Sequence, residues 1–250
     1  MARVEPVVGA PAATITLDGE RVLVLADVHA GIELGLRYRD GVRVPSRAAD
    51  RREDLARLVE EVDPSAVLVV GDLMHSIGDP ARAERRELEA LVEALPDDVG
   101  LSVVKGNHDG DLEGWLTGAT VHDAPGIVCD GVAFSHGHTW PPAAALEAEV
   151  LVIGHEHPRV RLEDEVGGAA VHRVWLRGLL DGDLVAEHLG VDPPAVAPRL
   201  VVLPAFNELS GGTWINVEGE SFLVPYLPAG LREPEGYLLD GTRLGRVALA

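Results

Sequence analysis

Five short segments rich in histidine and aspartate constrain this chain more than any other feature. They are Ala26-Asp27-Val28-His29, Gly71-Asp72-Leu73-Met74-His75, Gly106-Asn107-His108-Asp109, Ser135-His136-Gly137-His138 and Gly154-His155-Glu156-His157. Each follows a run rich in valine and leucine: Arg21–Leu25, Val67–Val70, Leu101–Val104, Val132–Ser135 and Val150–Ile153. Such runs suit strands buried on both faces. Charged, periodic stretches lie between the first three. One predicts a helix from an N-cap at Ser46 to about Val62, where Asp63-Pro64 ends it. A second is predicted from an N-cap at Asp79, with Pro80 at the first helical position, to about Ala94. Strands alternating with helices make an α/β plan. Residues just past the carboxyl ends of strands in such a sheet converge on one crevice, so the five segments are expected to meet there. A glycine close to each polar group allows the sharp turn this requires.

The second half reads as a second sheet packed on the first. Asp18-Gly19, between Thr14–Leu17 and Arg21–Leu25, and Asp130-Gly131, between Gly126–Cys129 and Val132–Ser135, are hairpin signals. Further strands are expected at Val160–Leu162, Val171–Arg177, Leu200–Leu203 and Ser221–Val224, with a loop at Asp192–Pro198 and a terminal hairpin around Asp240-Gly241. The 250 residues fit one domain, with a core over about 14–225 and a C-terminal extension over about 226–250.

Composition excludes several classes. Cys129 is the single cysteine, so neither an intramolecular disulfide nor a thiolate zinc cluster can form. The segment Met1–Ala13 has no apolar stretch of the secretory kind, and no run reaches the ~18 apolar residues of a spanning helix. A cytoplasmic protein without membrane partners is expected. The formal charge is −20, and Lys105 is the one lysine among 21 basic residues. That balance fits the solvated acidic surface of a halophilic archaeon, or alternatively an acidic protein from a GC-rich genome. The halophile reading predicts structure lost in low salt and regained in molar KCl. Either surface repels nucleic acid at long range unless positive charge is concentrated locally.

Imidazole and oxygen donors without thiolate favour Mn²⁺, Fe²⁺, Co²⁺ or Zn²⁺. The donors are too many for one ion and suit two. Asp27, His29 and His157 fit one ion, Asn107, His136 and His155 the other, and Asp72 can bridge them through its two oxygens. Any one of these segments alone would read as an ordinary loop or surface histidine pair; five in order, each at a strand end, do not. Two divalent ions against two carboxylates leave net positive charge, which attracts phosphate at short range.

The order D-x-H, G-D, G-N-H-D, H-G-H, G-H-x-H resembles the calcineurin-like metallophosphoesterase superfamily. The resemblance implies that Asp27, His29, Asp72, Asn107, His136, His155 and His157 are the metal ligands. It also implies a four-layer α-β-β-α sandwich of two mixed sheets with a dinuclear site at the strand ends. More narrowly, Ala26–Pro45 with Gly31, Glu33, Gly41 and Pro45, then Leu203–Asn207 and Gly211-Gly212, are similar to archaeal SbcD-related phosphoesterases and bacterial ligase-associated DNA damage response endonucleases. Unlike the longer double-strand-break nucleases, the chain leaves no room for a DNA-capping domain, so dependence on their ATPase partner is not expected. Residues 204–212 read either as a loop near the site or as a homodimer contact, and a repair-protein partner stays open.

The chemistry implied is hydrolysis of a phosphodiester. Metal ions lower the pKa of a bound water, the hydroxide attacks phosphorus in line, and Mn²⁺ is the foremost candidate. His108, next to Asn107, can donate to the leaving oxygen or the transition state, with Asp109 orienting it. His75 is either a packing partner of the metal ligands or a substrate contact; His138 either faces the phosphate or closes its turn. Glu33 reads as a residue at the mouth of the site or as a solvated glutamate at a helix start. Arg37, Arg39, Arg43, Arg47, Arg51, Arg52 and Arg57 fall in one span with only Asp40, Asp50, Glu53 and Asp54. Arg43 and Arg47 would guide a nucleic-acid backbone to the metals, unless the span is an ordinary helix face of ion pairs. The leading expectation is a DNA-repair type nuclease or phosphodiesterase. The alternatives are a phosphodiesterase or phosphatase for small or cyclic nucleotides, and a non-enzymatic scaffold, which the full donor set argues against.

Overall fold

The valine-rich runs pair into two mixed sheets. The computed structural model describes residues 3–39, 41–114, 116–164 and 166–249, so Asp40 of the arginine span lies outside the described residues. In the first sheet β1 (Glu5–Pro6), β2 (Ala12–Leu17), β3 (Glu20–Leu25), β4 (Ala66–Val70), β5 (Gly100–Val104) and β6 (Ala119–His122) lie in sequence order. β3 to β6 run parallel, and β2 joins β3 antiparallel through the predicted Asp18-Gly19 turn. The second sheet contains β7 (Ile127–Cys129), β8 (Val132–Ser135), β9 (Val150–Ile153), β11 (Ala169–Leu180), β12 (Arg199–Val202), β13 (Leu231–Leu238) and β14 (Arg243–Arg246). Their order is β14-β13-β11-β12-β9-β8-β7, and β10 (Arg159–Glu163) pairs with β11 off that path. The stretch 226–250, expected as an extension, supplies β13 and β14, and β13 is zipped along β11 from Val174↔Leu238 to Leu180↔Leu231.

Alternation along each strand separates three apolar layers. Leu23 and Leu25 of β3 and Val67 and Val69 of β4 face Leu55, Leu58 and Val59 of helix α2 (Ala48–Val62) and Leu88 and Leu91 of α3 (Arg82–Glu93). Val22, Val24, Leu68 and Val70, on the opposite faces, meet Val132, Phe134, Val150, Val152 and Trp175 of the second sheet. Leu151, Ile153, Leu176 and Val202 turn outward against Val185 and Ala186 of α4 (Gly182–Leu189). Helix, sheet, sheet, helix is the four-layer sandwich expected. Full burial of each such side chain is worth ~1.5–3 kcal/mol, which is why these strands read as unbroken apolar runs.

Three local expectations are corrected. α2 begins at Ala48 with Arg47 as its cap residue, not Ser46; the Ser46 Oγ still accepts the Ala48 N–H at 3.3 Å, and the Arg47 N–H donates to Glu33 Oε1 at 2.7 Å. α3 begins at Arg82 rather than after Asp79-Pro80. Glu84 in its first turn accepts the N–H groups of His75 and Ser76, both at 2.8 Å, and so anchors the helix start to that loop. Ser221–Val224 is not a strand; the Leu223 and Val224 N–H groups go to the Glu156 carboxylate at 3.0–3.1 Å instead of a neighbouring strand. Helix α1 (Ile32–Arg39) starts just before Glu33, in keeping with the helix-start alternative for that residue, whereas α4, β1 and β6 were not foreseen. No helix among the described residues is long and apolar enough to cross a membrane.

Candidate metal centre

All five segments emerge from carboxyl ends of strands. β3, β4 and β5 are parallel and in step, with Leu25 opposite Val69 and Val69 opposite Val103, and β8 ends level with β9 at Ser135↔Ile153. Asp27 and His29, Asp72, and His108 therefore leave the first sheet at one level. His136, His155 and His157 leave the second sheet opposite them.

The backbone there is strained. Asp27, His29, Asp72, His155 and His157 have φ of 58°, 43°, 48°, 66° and 46°, a left-handed conformation that costs non-glycine residues about 1–3 kcal/mol each. Bonds between segments hold it. Asp27 N–H donates to Gly71 O at 3.0 Å, His29 N–H to Asp72 O at 2.9 Å, and Gly154 N–H to His136 O at 3.0 Å. The His155 N–H donates to both Asp27 carboxylate oxygens at 3.1–3.2 Å, joining the two sheets. The glycines do more than turn the chain. A Cβ on Gly106 would lie 2.1 Å from Asp72 Oδ1, one on Gly154 would lie 2.9 Å from Asp27 Oδ2, and one on Gly71 would lie 2.1 Å from His136 Nδ1.

Besides the imidazole group His29, His75 and His108, two donor triads with a carboxylate result: Asp27, His29 and His157, and Asp72, His136 and His155, each with one nitrogen or oxygen per residue within 4.8 Å of the others. Asp72 Oδ2 lies between them, 3.6 Å from His29 Nε2 and 3.4 Å from His136 Nε2. His136 Nδ1–H donates to Val70 O at 3.1 Å, and His157 Nδ1–H to Gly211 O at 3.3 Å, so both rings present Nε2 inward. His136 Nε2 is fully buried with no hydrogen-bond partner. His157 Nε2 lies 3.1 Å from Asp27 Oδ1 and 3.4 Å from His29 Nε2. Lone pairs aimed at each other across such gaps repel unless protons or cations lie between them. The orphaned nitrogen and the all-imidazole and carboxylate donor set fit borderline divalent cations. Asn107 is exposed at the same turn, between Gly106 and His108.

Burial opposes charge on these groups, and their neighbours decide the outcome. Imidazoles hold Asp27 and Asp72 below the usual carboxylate range despite burial. Burial pushes His29 down to about 3 and His155 to about 4, while the carboxylates overcome burial and lift His136 to about 9.

His108 Nε2 points into the site, 3.8 Å from Asp72 Oδ2, and its Nδ1–H donates to the His75 carbonyl at 2.5 Å. That carbonyl, rather than Asp109, holds the ring, which corrects the orienting role expected for Asp109. The Asp109 carboxylate instead accepts from Met74 N at 3.0 Å and Gly106 N at 2.8 Å, tying two of the turns together. Burial and the Asp72 charge push it up to about 6. His75 stacks on His108 with centroids 5.5 Å apart, and His138 lies 5.2 Å from the His136 ring.

Several supporting residues were missed by sequence reasoning. Glu33 is neither solvated nor at the mouth. With Glu87 it surrounds buried Arg51, whose Nη1 and Nη2 reach Glu33 at 2.9 and 3.0 Å and whose Nε reaches Glu87 at 2.7 Å. Glu87 also accepts the Gly31 N–H at 2.9 Å, two residues from His29. Glutamates on charged helices carry no local signal of this. Within the arginine span, Arg51 is thus structural, Arg57 pairs along its helix with Asp54 and Glu61, and Arg47 pairs with Asp50 and Glu208. Arg43 is exposed in the loop before α2.

Solved structures of similar shape include a nuclease named MPE from Pseudomonas putida, at TM-score 0.59 and 21% identity over 97% of this chain and 100% of that one. A phosphoesterase from E. coli, YfcE, matches at TM-score 0.37 and 20% identity over 61% and 76%. A predicted phosphoesterase of Streptococcus pneumoniae matches at TM-score 0.35 and 14% identity over 92% and 95%. Comparison with curated proteins returns no match. At these identities the first likeness speaks for the fold, and the two looser ones add nothing to it. The sequence itself decides the kinship: the family model described as calcineurin-like phosphoesterase matches residues 20–195, from β3 through the last histidine segment and beyond α4. The chain belongs to the calcineurin-like phosphoesterase family, hydrolases of ester bonds that work with divalent metals.

Proposed function

We propose that this protein hydrolyses phosphodiester bonds of nucleic acid with two divalent cations, Mn²⁺ foremost. The carrying observation is the pair of donor triads with Asp72 Oδ2 between them, within 3.6 Å of an imidazole nitrogen from each. Asp27, His29 and His157 would hold one cation, His136, His155 and Asn107 the other, and Asp72 both. When bound, such cations acidify water towards neutral pH and stabilise charge developing on the phosphoryl oxygens.

The chain's own residues set up the rest. The His75 carbonyl fixes the His108 ring, so that a proton on His108 Nε2 faces the space beside Asp72, where a leaving oxygen can receive it. Asp109 keeps the segments after β4 and β5 in register. Arg37 and Arg43, exposed on the chain that leads away from His29, supply positive charge for a phosphate backbone. The nuclease that shares this fold motivates the choice of nucleic acid.

The test is metal-free protein titrated with Mn²⁺, Fe²⁺, Co²⁺ or Zn²⁺ and assayed on an aryl phosphodiester, single- and double-stranded DNA, and cyclic nucleotides. Hydrolysis of the aryl diester and of DNA is expected. Hydrolysis confined to cyclic nucleotides would replace the substrate, and no hydrolysis with any ion would refute the reading. His108→Ala should keep both ions and lose ~10²–10⁴ of the rate.

A further inference from the structure

The loop after β12 touches one donor triad and leaves the other alone. Phe206 N–H donates to Ala26 O at 2.8 Å, and Asn207 N–H donates to Asp27 O at 3.1 Å. The Asn207 side-chain amide donates to Val28 O at 2.9 Å and His29 O at 3.2 Å. Asn207 is 1% exposed, and its own Oδ1 is occupied by Leu209 N–H at 3.0 Å. Four residues on, Gly211 O accepts the His157 Nδ1–H. At Gly212 a Cβ would lie 2.1 Å from His157 O, so the loop runs directly against that histidine. Asp27, His29 and His157 are thus all tied to residues 206–212. Among the described residues the second triad has no bond to this loop: His136 bonds Val70 and Asp72 accepts the His108 N–H at 3.0 Å, and it meets the first triad through the His155 N–H on Asp27 and the His29 N–H on Asp72 O at 2.9 Å.

Two arginines brace this loop from behind. Arg159 and Arg173 face each other across the β10–β11 ladder, where like charges repel. Both are turned onto loop carbonyls instead. Arg173 Nη1 donates to Ala205 O and Phe206 O at 2.9 Å each, and Arg159 Nη2 donates to Glu208 O at 3.0 Å and Ser210 O at 2.5 Å.

We propose that Asn207 is a positioning residue that sets the affinity of one cation position, that of Asp27, His29 and His157, far more than that of the other. Asn207 touches no metal itself. It spans the strained turn from Asp27 to His29 and joins it to the loop that holds His157, bringing donors 128 residues apart into one arrangement. Without the amide the Val28 carbonyl loses its partner and the His29 carbonyl keeps only the Ile32 N–H at 3.1 Å, so the geometry of this position loosens more than that of the other. The inference rests on the two-cation reading above.

The test is Mn²⁺ binding, by titration calorimetry and by electron paramagnetic resonance, on the full chain and on Asn207→Ala. The parent should bind two ions with a spin-coupled spectrum at saturation. In Asn207→Ala one of the two affinities should fall ~10–100-fold, as is usual when a group supporting a metal ligand is lost, with the other falling far less. At one equivalent the variant should then show an uncoupled mononuclear spectrum, the pattern that His157→Ala should also give. Arg173→Met, which loosens the loop without touching any donor residue, should shift the same affinity in the same direction and serves if Asn207→Ala does not fold. Equal weakening of both positions, or of neither, overturns the proposal. A parent that binds fewer than two ions overturns the two-cation reading instead.

Discussion

Three glycine-to-alanine variants separate backbone strain from lost clearance at the metal centre. Gly9 and Gly71 have nearly the same φ, +82° and +83°, but a Cβ on Gly9 meets nothing within 4 Å. Gly9→Ala therefore reports strain alone, roughly 1–2 kcal/mol for a side chain in the left-handed region. Gly106 is not in that region, yet its Cβ would lie 2.1 Å from Asp72 Oδ1 and 2.4 Å from Asp72 N. With ordinary contacts near ~3.5 Å, something must move by ~1 Å, and neither backbone nor a buried carboxylate gives way easily. Gly106→Ala should cost about 1–3 kcal/mol from overpacking and displace Asp72. Gly71→Ala carries both effects, since its Cβ would lie 2.1–2.6 Å from the His136 Nδ1, Cγ and Cβ atoms, and should cost about 2–5 kcal/mol. Urea unfolding of metal-free protein measures these costs, and metal content with aryl phosphodiester hydrolysis measures the functional loss. Gly9→Ala should retain full metal content and rate, whereas both others should lose metal affinity by at least ~10-fold. If Gly106→Ala binds metal as tightly as the parent and unfolds at the same urea concentration, the clearance argument is wrong.

The buried cluster around Arg51 should respond asymmetrically to substitution. Arg51→Met strands two carboxylates and should cost ~3–5 kcal/mol by urea unfolding, whereas Glu87→Gln, at a carboxylate that burial already pushes up, should cost less than half as much. Equal costs would refute the account of the cluster. Arg43→Ala should weaken hydrolysis of DNA and flatten its salt dependence while sparing the aryl phosphodiester; a parallel loss on both substrates would remove Arg43 from substrate binding.

Much of this architecture was legible in the order of residues. Apolar runs such as Ala66–Val70 read as strands because both of their faces are buried, and Asp-Gly pairs read as turns because both residues tolerate positive φ. What was misread involves partners distant in the chain. Ser221–Val224 looks like a strand until Glu156, 67 residues earlier, takes its N–H groups, and Glu33 looks solvated until Arg51 and Glu87 enclose it.

Sequence alone determined which side chains arrive at the strand ends and in what order, because strand formation, turns and donor chemistry are local properties. Tertiary structure decided what holds those donors in place. The packing of two sheets sets Asp27 beside His155 and His157 and brings Asn207 under the first triad, while the neighbouring turns after β4 and β5 draw Asp109 away from His108. Those pairings depend on how separately formed layers stack, and stacking is governed by the summed burial of three apolar layers rather than by any one segment.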